Sequence, residues 1–137
     1  LSKRSIIKTD TKTFEKKRER YQKILKEASE QSYRQIIPEL KPLIKIDKLD
    51  QYLGDINLVA YEESSKQGEH LAFHQALLQE YSTITIIVGP EGGFDQDEID
   101  IMKSMGIVEC SLGKRILRSE TAPLYMLSVI GYSRELR

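Results

Sequence analysis

Apolar residues recur through the first quarter of the chain at the period of a helix face. Phe14, Tyr21, Ile24, Leu25 and Ala28 stand three, four and seven positions apart and predict a long helix over Thr11 to Ser32, whose other faces include the charged run Glu15 to Arg20. Ahead of it, Ser5-Ile6-Ile7 reads as the end of a strand. After it, Ile36-Ile37-Pro38 reads as a short strand with its proline at an edge or end, and Asp47 to Leu53 as a short helix ended by Gly54. Ile56 to Tyr61 is a second strand, Glu62 to Gly68 a polar loop and Glu69 to Tyr81 a helix. Thr83 to Val88 is a β-branched run, the clearest strand in the chain. Asp95 then predicts an N-cap, with Glu98 three residues on as in a capping box, for a helix over Gln96 to Met105 closed by Gly106. Ile107 to Leu112 follows as a strand and Ser119 to about Glu135 as the last helix, where Pro123 falls in the first turn. Strands alternating with helices predict an α/β domain, a parallel sheet with helices on both faces. No internal repeat or low-complexity linker interrupts it.

Composition narrows the class. A chain of 137 residues, 39% hydrophobic and 31% charged, fits about one soluble domain. No apolar run approaches the roughly 20 residues of a membrane span. A cytoplasmic location is therefore expected, and the start Leu1-Ser2-Lys3-Arg4 has no apolar core behind it to make a signal peptide. The single cysteine, Cys110, has no internal disulfide partner and reads as a small buried hydrophobe. The formal net charge of zero conceals segregation: residues 1 to 48 hold 14 basic against 7 acidic side chains, residues 49 to 110 hold 2 against 12, and residues 111 to 137 hold 5 against 2. Basic ends folded around a ligand loop would make a phosphate-binding face; a solvated helix surface accounts for the same charge.

The chemistry concentrates in two loops, Gly89-Pro90-Glu91-Gly92-Gly93 and Leu112-Gly113-Lys114-Arg115-Ile116-Leu117-Arg118, each after an apolar run and before a helix signal. Such loops turn backbone N–H groups toward a ligand, so the pair predicts one small-molecule site built mainly of main chain, with Arg118 and Glu120 as its charged groups and a nucleotide-like cofactor as its occupant. Neither loop is the dinucleotide pattern G-x-G-x-x-G or a P-loop. His70 and His74 lie four apart but lack the glutamate of a zinc protease and an obvious third ligand, so no metal is expected. No serine stands in G-x-S-x-G.

Three segments together carry a family resemblance: Glu27-Ala28-Ser29-Glu30-Gln31-Ser32-Tyr33-Arg34, Val88-Gly89-Pro90-Glu91-Gly92-Gly93-Phe94, and Leu112 to Ala122 with Ile116-Leu117-Arg118 followed by Glu120-Thr121-Ala122. In order and spacing they resemble the bacterial small-subunit ribosomal RNA N3-uridine methyltransferases of the SPOUT class, over nearly the whole chain. The resemblance implies a C-terminal trefoil knot, S-adenosylmethionine as cofactor, a homodimer, and 16S ribosomal RNA as substrate. It implies a cofactor pocket lined by Tyr61, Glu62, Gly89, Pro90, Gly93, Leu112, Gly113, Ile116, Leu117, Thr121 and Ala122. It also implies one methyltransferase domain over residues 1 to 137, without the N-terminal PUA-like barrel and the first strand, helix and strand that relatives carry.

Uridine N3 holds a proton at neutral pH, so its methylation needs that proton removed or the resulting anion stabilised. Arg118 is the candidate for the charge developing on O2 or O4, and Glu120 for accepting the proton or orienting the arginine. The same pair also reads as a capping and ion-pair set at a helix start. Arg4, Gln31 and Arg34 are candidates for the RNA side, and Lys114 and Arg115 for phosphate contacts. A non-catalytic RNA-binding or dimerisation module of the same fold, and a binder of another nucleotide, remain open alternatives.

Overall fold

The computed structural model describes residues 2–5, 10–66, 68, 69 and 71–136. Ile6 and Ile7 of the expected first strand, and His70 of the histidine pair, lie outside them. The chain divides into two compact units, Leu1–Ile6 with Lys45–Arg137, and Ile7–Ile44.

In the smaller unit, α1 runs Thr11–Gln31, and Asp10 caps it by accepting from the Thr13 N–H over 2.6 Å. That bond holds the Asp10 carboxyl below its ordinary range. Phe14 and Tyr21 approach with ring centroids 6.3 Å apart. The strand expected at Ile36-Ile37-Pro38 does not form. The segment is instead tied to α1 by side chains. The Gln22 amide donates to the Pro38 carbonyl over 3.1 Å and accepts from the Leu40 N–H over 3.3 Å, and Arg18 donates to the Leu40 carbonyl over 3.3 Å. A proline without an N–H and an isoleucine left 82% exposed suit this arrangement better than a ladder.

The larger unit is α/β. A 3₁₀ helix over Ile46–Tyr52 precedes β1 (Ile56–Ala60), α2 (Glu62–Lys66), α3 (Ala72–Leu77), β2 (Ile84–Val88), α4 (Gln96–Ser104), β3 (Val108–Cys110) and α5 (Thr121–Gly131), which continues into a π-helical turn over Tyr132–Leu136. The strands form a parallel sheet in the order β2-β1-β3, with Leu58 beside Ile86 and Val108, and Ala60 beside Val88 and Cys110. The two crossovers run in opposite directions across β1, so right-handed connections carry their helices to opposite faces. Ile56 and Leu58 pack with Phe73, Leu77 and Met126 on one face, and Val59 packs with Ile99 and Met102 on the other. Leu58, Ile99, Met102 and Met126 are at most 1% exposed, and burying each contributes roughly 1.5–3 kcal/mol.

Several elements differ in kind or extent from the sequence reading: the short helix expected at Asp47 to Leu53 is the 3₁₀ helix Ile46–Tyr52, and the strand expected at Ile107 to Leu112 is only Val108–Cys110. The polar loop expected at Glu62 to Gly68 contains α2, whose leading Glu62 and Glu63 and trailing Lys66 favour a helix dipole and whose Lys66 pairs with Glu63 at 2.5 Å. The helix expected from Glu69 to Tyr81 is only Ala72–Leu77, because Glu69 acts ahead of it as a cap: its carboxylate accepts from the N–H groups of Leu71 and Ala72 over 2.7 and 2.6 Å.

Candidate functional site

Parallel strands place all their carboxyl ends on one edge of the sheet, where α/β proteins bind ligands. A cavity of about 560 Å³ opens at that edge, lined by Ala60 and Tyr61 at the end of β1, Val88 and Gly89 at the end of β2, and Ser111 and Leu112 after β3. Both glycine loops face it, as their positions in the sequence predict.

The first loop is a tight turn closed by the Gly93 N–H donating to the Pro90 carbonyl over 2.8 Å, with Gly93 at φ 69°. A side chain at Gly89 would meet the Phe94 ring at 3.2 Å, and one at Gly92 would stand 2.7 Å from the Arg4 carbonyl oxygen. The N-terminal segment therefore lies directly on this loop. It is pinned there by Glu98, only 3% exposed, which accepts from Ser2 Oγ over 3.1 Å, from the Lys3 N–H over 2.7 Å and from the Asp95 N–H over 2.9 Å. The last of these bonds is half of the expected capping box. Arg4 pairs with Asp95, and Lys3 with Asp97 at 3.2 Å.

The second loop is tied from below. The Ser111 N–H donates to the Glu69 carboxylate over 2.7 Å, and the Gly113 N–H reaches Ser111 Oγ over 3.4 Å with Gly113 at φ 104°. At the far end the Arg118 carbonyl accepts from the N–H groups of Thr121 and Ala122, each over 2.9 Å, and so starts α5. Cys110 is fully buried beneath, and burial together with the Glu69 charge pushes its thiol up to about 12. Burial also raises the Tyr61 phenol, with Glu63 adding to it.

Three arginines and four carboxylates line the cavity: Arg4, Arg115, Arg118, Glu62, Glu63, Glu91 and Glu120. Arg4 is committed to Asp95 and Glu63 to Lys66. Among the described residues Arg115 and Arg118 make no ion pair, and Glu120 makes no cap hydrogen bond to α5. The capping and ion-pair alternative for Arg118 and Glu120 thus has no bond behind it.

Of the residues expected at the cofactor, Tyr61, Glu62, Gly89, Pro90, Gly93, Leu112, Gly113, Ile116, Leu117 and Ala122 line the cavity, while Thr121 lies just outside it at the first turn of α5. Arg4 and Arg115 of the expected RNA contacts line it and Lys114 does not. Gln31 and Arg34 belong to the smaller unit. Glu91, Phe94, Ser111 and Ser119 also line the cavity and escaped the sequence reading. All four flank or occupy the two loops, so extending each loop by one residue would have found most of them. The bond from Glu69 to Ser111 spans 42 residues and leaves no local signal.

The family model described as the RNA methyltransferase domain matches residues 1–131. The chain belongs to that family. Ribosomal RNA small subunit methyltransferase E of Bacillus subtilis is 48% identical over 97% of this chain and 54% of its own length. The protein of the same name from Mesomycoplasma hyopneumoniae is 34% identical over 84% of this chain and 48% of its own length. The crystal structure of a ribosomal RNA small subunit methyltransferase E from Neisseria gonorrhoeae bound to S-adenosyl methionine superposes with a TM-score of 0.79 at 29% identity, covering 96% of this chain and 53% of that one. This RNA methyltransferase domain therefore spans about half the length of the relatives it matches. Among its described residues no cluster of three or more His, Cys, Asp or Glu side chains could hold a metal, and no helix is long and apolar enough to cross a membrane.

Proposed function

We propose that this domain binds S-adenosylmethionine and serves an enzyme that methylates N3 of one uridine in 16S ribosomal RNA of the small subunit. The observation that carries the reading is the meeting of both glycine loops, with Arg118 and Glu120, around one cavity in a chain of the RNA methyltransferase family. The fit is physical. A volume of about 560 Å³ lies within the roughly 300–1,000 Å³ of small-molecule sites. Gly89, Gly93 and Gly113 bring main chain to the cavity without side chains, as recognition of adenine and ribose by backbone groups requires. Ile116 and Leu117 give apolar cover, and the free carboxylates of Glu62 and Glu91 suit a cationic ligand.

When bound, S-adenosylmethionine supplies an activated methyl group. In this reading Tyr61, Glu62, Gly89, Pro90, Gly93, Leu112, Gly113, Ile116, Leu117, Thr121 and Ala122 hold it. Glu120 takes the proton from N3, and the Arg118 guanidinium stabilises the negative charge that then spreads to O2 and O4. Among the described residues no ion pair engages Arg118, which leaves it available for this. Arg4, Gln31, Arg34, Lys114 and Arg115 contact the RNA.

We also infer a homodimer, a C-terminal trefoil knot and a cytoplasmic location. The resemblance of the Leu112 to Ala122 segment to the SPOUT class supports the knot. The dimer is supported by α5, which buries Ala122 and Met126 yet leaves Leu124 and Leu127 at 66% and 57% exposure, a face that a second copy would cover.

Calorimetry with S-adenosylmethionine and methyl transfer to small ribosomal subunits test the reading. Arg118→Ala is expected to keep cofactor affinity and lower transfer by about a hundredfold or more. No heat of binding at millimolar cofactor would overturn the cofactor assignment, and undiminished transfer would remove Arg118 from its role.

A further inference from the structure

We propose that Tyr33, with Arg34 beside it, is a stacking platform for an unpaired base of the RNA. The proposal rests on the reading of the chain as part of a ribosomal RNA methyltransferase. α1 ends in a Schellman-type turn: the Arg34 N–H donates to the Ser29 carbonyl over 2.9 Å and the Tyr33 N–H to the Glu30 carbonyl over 3.2 Å. Tyr33 thereby takes the left-handed position after the helix, at φ 54°, and is alone in this among the described non-glycine residues. Glycine normally holds that position because a Cβ crowds the backbone there.

A tyrosine could be explained if its ring packed against the fold, but Tyr33 is 95% exposed. The chain bears the strain and gains no burial from it, which points to a ligand outside the unit. The surroundings indicate which. Residues 11 to 34 hold eight basic side chains against four acidic ones. Of the acidic ones, Glu15, Glu27 and Glu30 are matched to Arg18, Lys23 and Lys26, and Glu19 is not. Among the described residues, Lys12, Lys16, Lys17, Arg20 and Arg34 have no such match. A polyanion that offers flat unsaturated faces fits an exposed ring beside the unmatched Arg34, at the end of a helix that carries further free cations along its length, and single-stranded RNA is that ligand. A duplex hides its base faces in the stack.

The test uses the 137-residue chain and a fluorescein-labelled oligouridylate of about ten nucleotides, followed by anisotropy at low salt. Tyr33→Gly is expected to weaken binding about tenfold while raising Tm by about 3 °C, because the left-handed strain is relieved. Tyr33→Phe keeps wild-type affinity, and a duplex of the same length binds all three proteins equally. A structural role would move stability and affinity in the same direction. Unchanged affinity in Tyr33→Gly, or no binding of the oligouridylate by the wild-type chain, overturns the proposal. So does a Tyr33→Gly protein whose sedimentation coefficient changes instead, since the ring would then be a protein contact. Calorimetry with S-adenosylmethionine on the same samples keeps the two readings apart: its failure removes the cofactor assignment and leaves the RNA result standing.

Discussion

Replacing Glu69 by glutamine tests whether the second glycine loop is held from beneath. One carboxylate oxygen of Glu69 accepts from the Leu71 and Ala72 N–H groups over 2.7 and 2.6 Å, and the other from the Ser111 N–H over 2.7 Å. A glutamine keeps one acceptor oxygen and turns an NH₂ donor toward the remaining N–H donors, so either the cap of α3 or the tie to Ser111 is lost. A hydrogen bond to a charged group contributes about 1.5–3 kcal/mol and a helix cap about 0.5–2 kcal/mol. The expected loss is therefore about 2 kcal/mol, a fall in Tm of about 8 °C for a chain of this size. Far-UV circular dichroism on heating reads the stability, and calorimetry reads affinity for the proposed S-adenosylmethionine, which is expected to fall because Ser111 lines the cavity. A Tm within about 1 °C of wild type would show that water replaces the carboxylate at no cost and would refute the argument.

Gly92→Ala places a methyl 2.7 Å from the Arg4 carbonyl oxygen and 3.0 Å from its Cβ; the expected loss of about 1–3 kcal/mol is read by urea denaturation, and unchanged stability would show that the N-terminal segment does not bear on the loop. Cys110, fully buried with its thiol pushed up to about 12, should react with a thiol reagent at pH 8 only as fast as the domain unfolds; burst labelling without urea would contradict the burial. Its pKa lies above the ordinary value of 9.0, so the unfolded chain ionises first and stability should fall as pH rises from about 9 to about 12. Under the proposed dimer, Leu127→Lys is expected to shift the sedimentation coefficient to that of a monomer with little change in Tm, since Leu127 is 57% exposed; an unchanged coefficient would move the interface elsewhere.

Strands were legible where the run itself is unambiguous, as in the β-branched Ile84–Val88, half-buried throughout, and in the largely apolar Ile56–Ala60, whose Ile56, Leu58 and Val59 are buried, because such runs fit a pleated sheet better than a helix face. The capping box of Asp95 and Glu98 was legible because both bonds are local. Ile36-Ile37-Pro38 misled for the converse reason: its partner is the side chain of Gln22, at Pro38, with Arg18 holding Leu40 just beyond, and composition cannot distinguish a ladder from a tether. α2 escaped because a helix of Glu, Ser and Lys has no apolar period to betray it. The cavity's wall was read from glycines, yet its supports, Glu69 holding Ser111 and Glu98 holding Ser2 and Lys3, join residues far apart in sequence and become visible only when the chain is folded.

Charge segregation gains its meaning from the same folding. The two basic blocks send Arg4 from one end and Arg115 and Arg118 from the other to one cavity, while the acidic middle sends Glu62, Glu63 and Glu91 to it. A purely basic cleft would favour the phosphates of RNA over a cationic methyl donor, and a purely acidic one would repel the RNA. Under the proposed function, both signs around main-chain loops suit a cavity that takes a cation while a polyanion approaches its arginines. Asp95 takes up the charge of Arg4, while Arg115 and Arg118 are unmatched among the described residues, so under the proposed function Arg118 stands free to meet the anion that develops on the uracil.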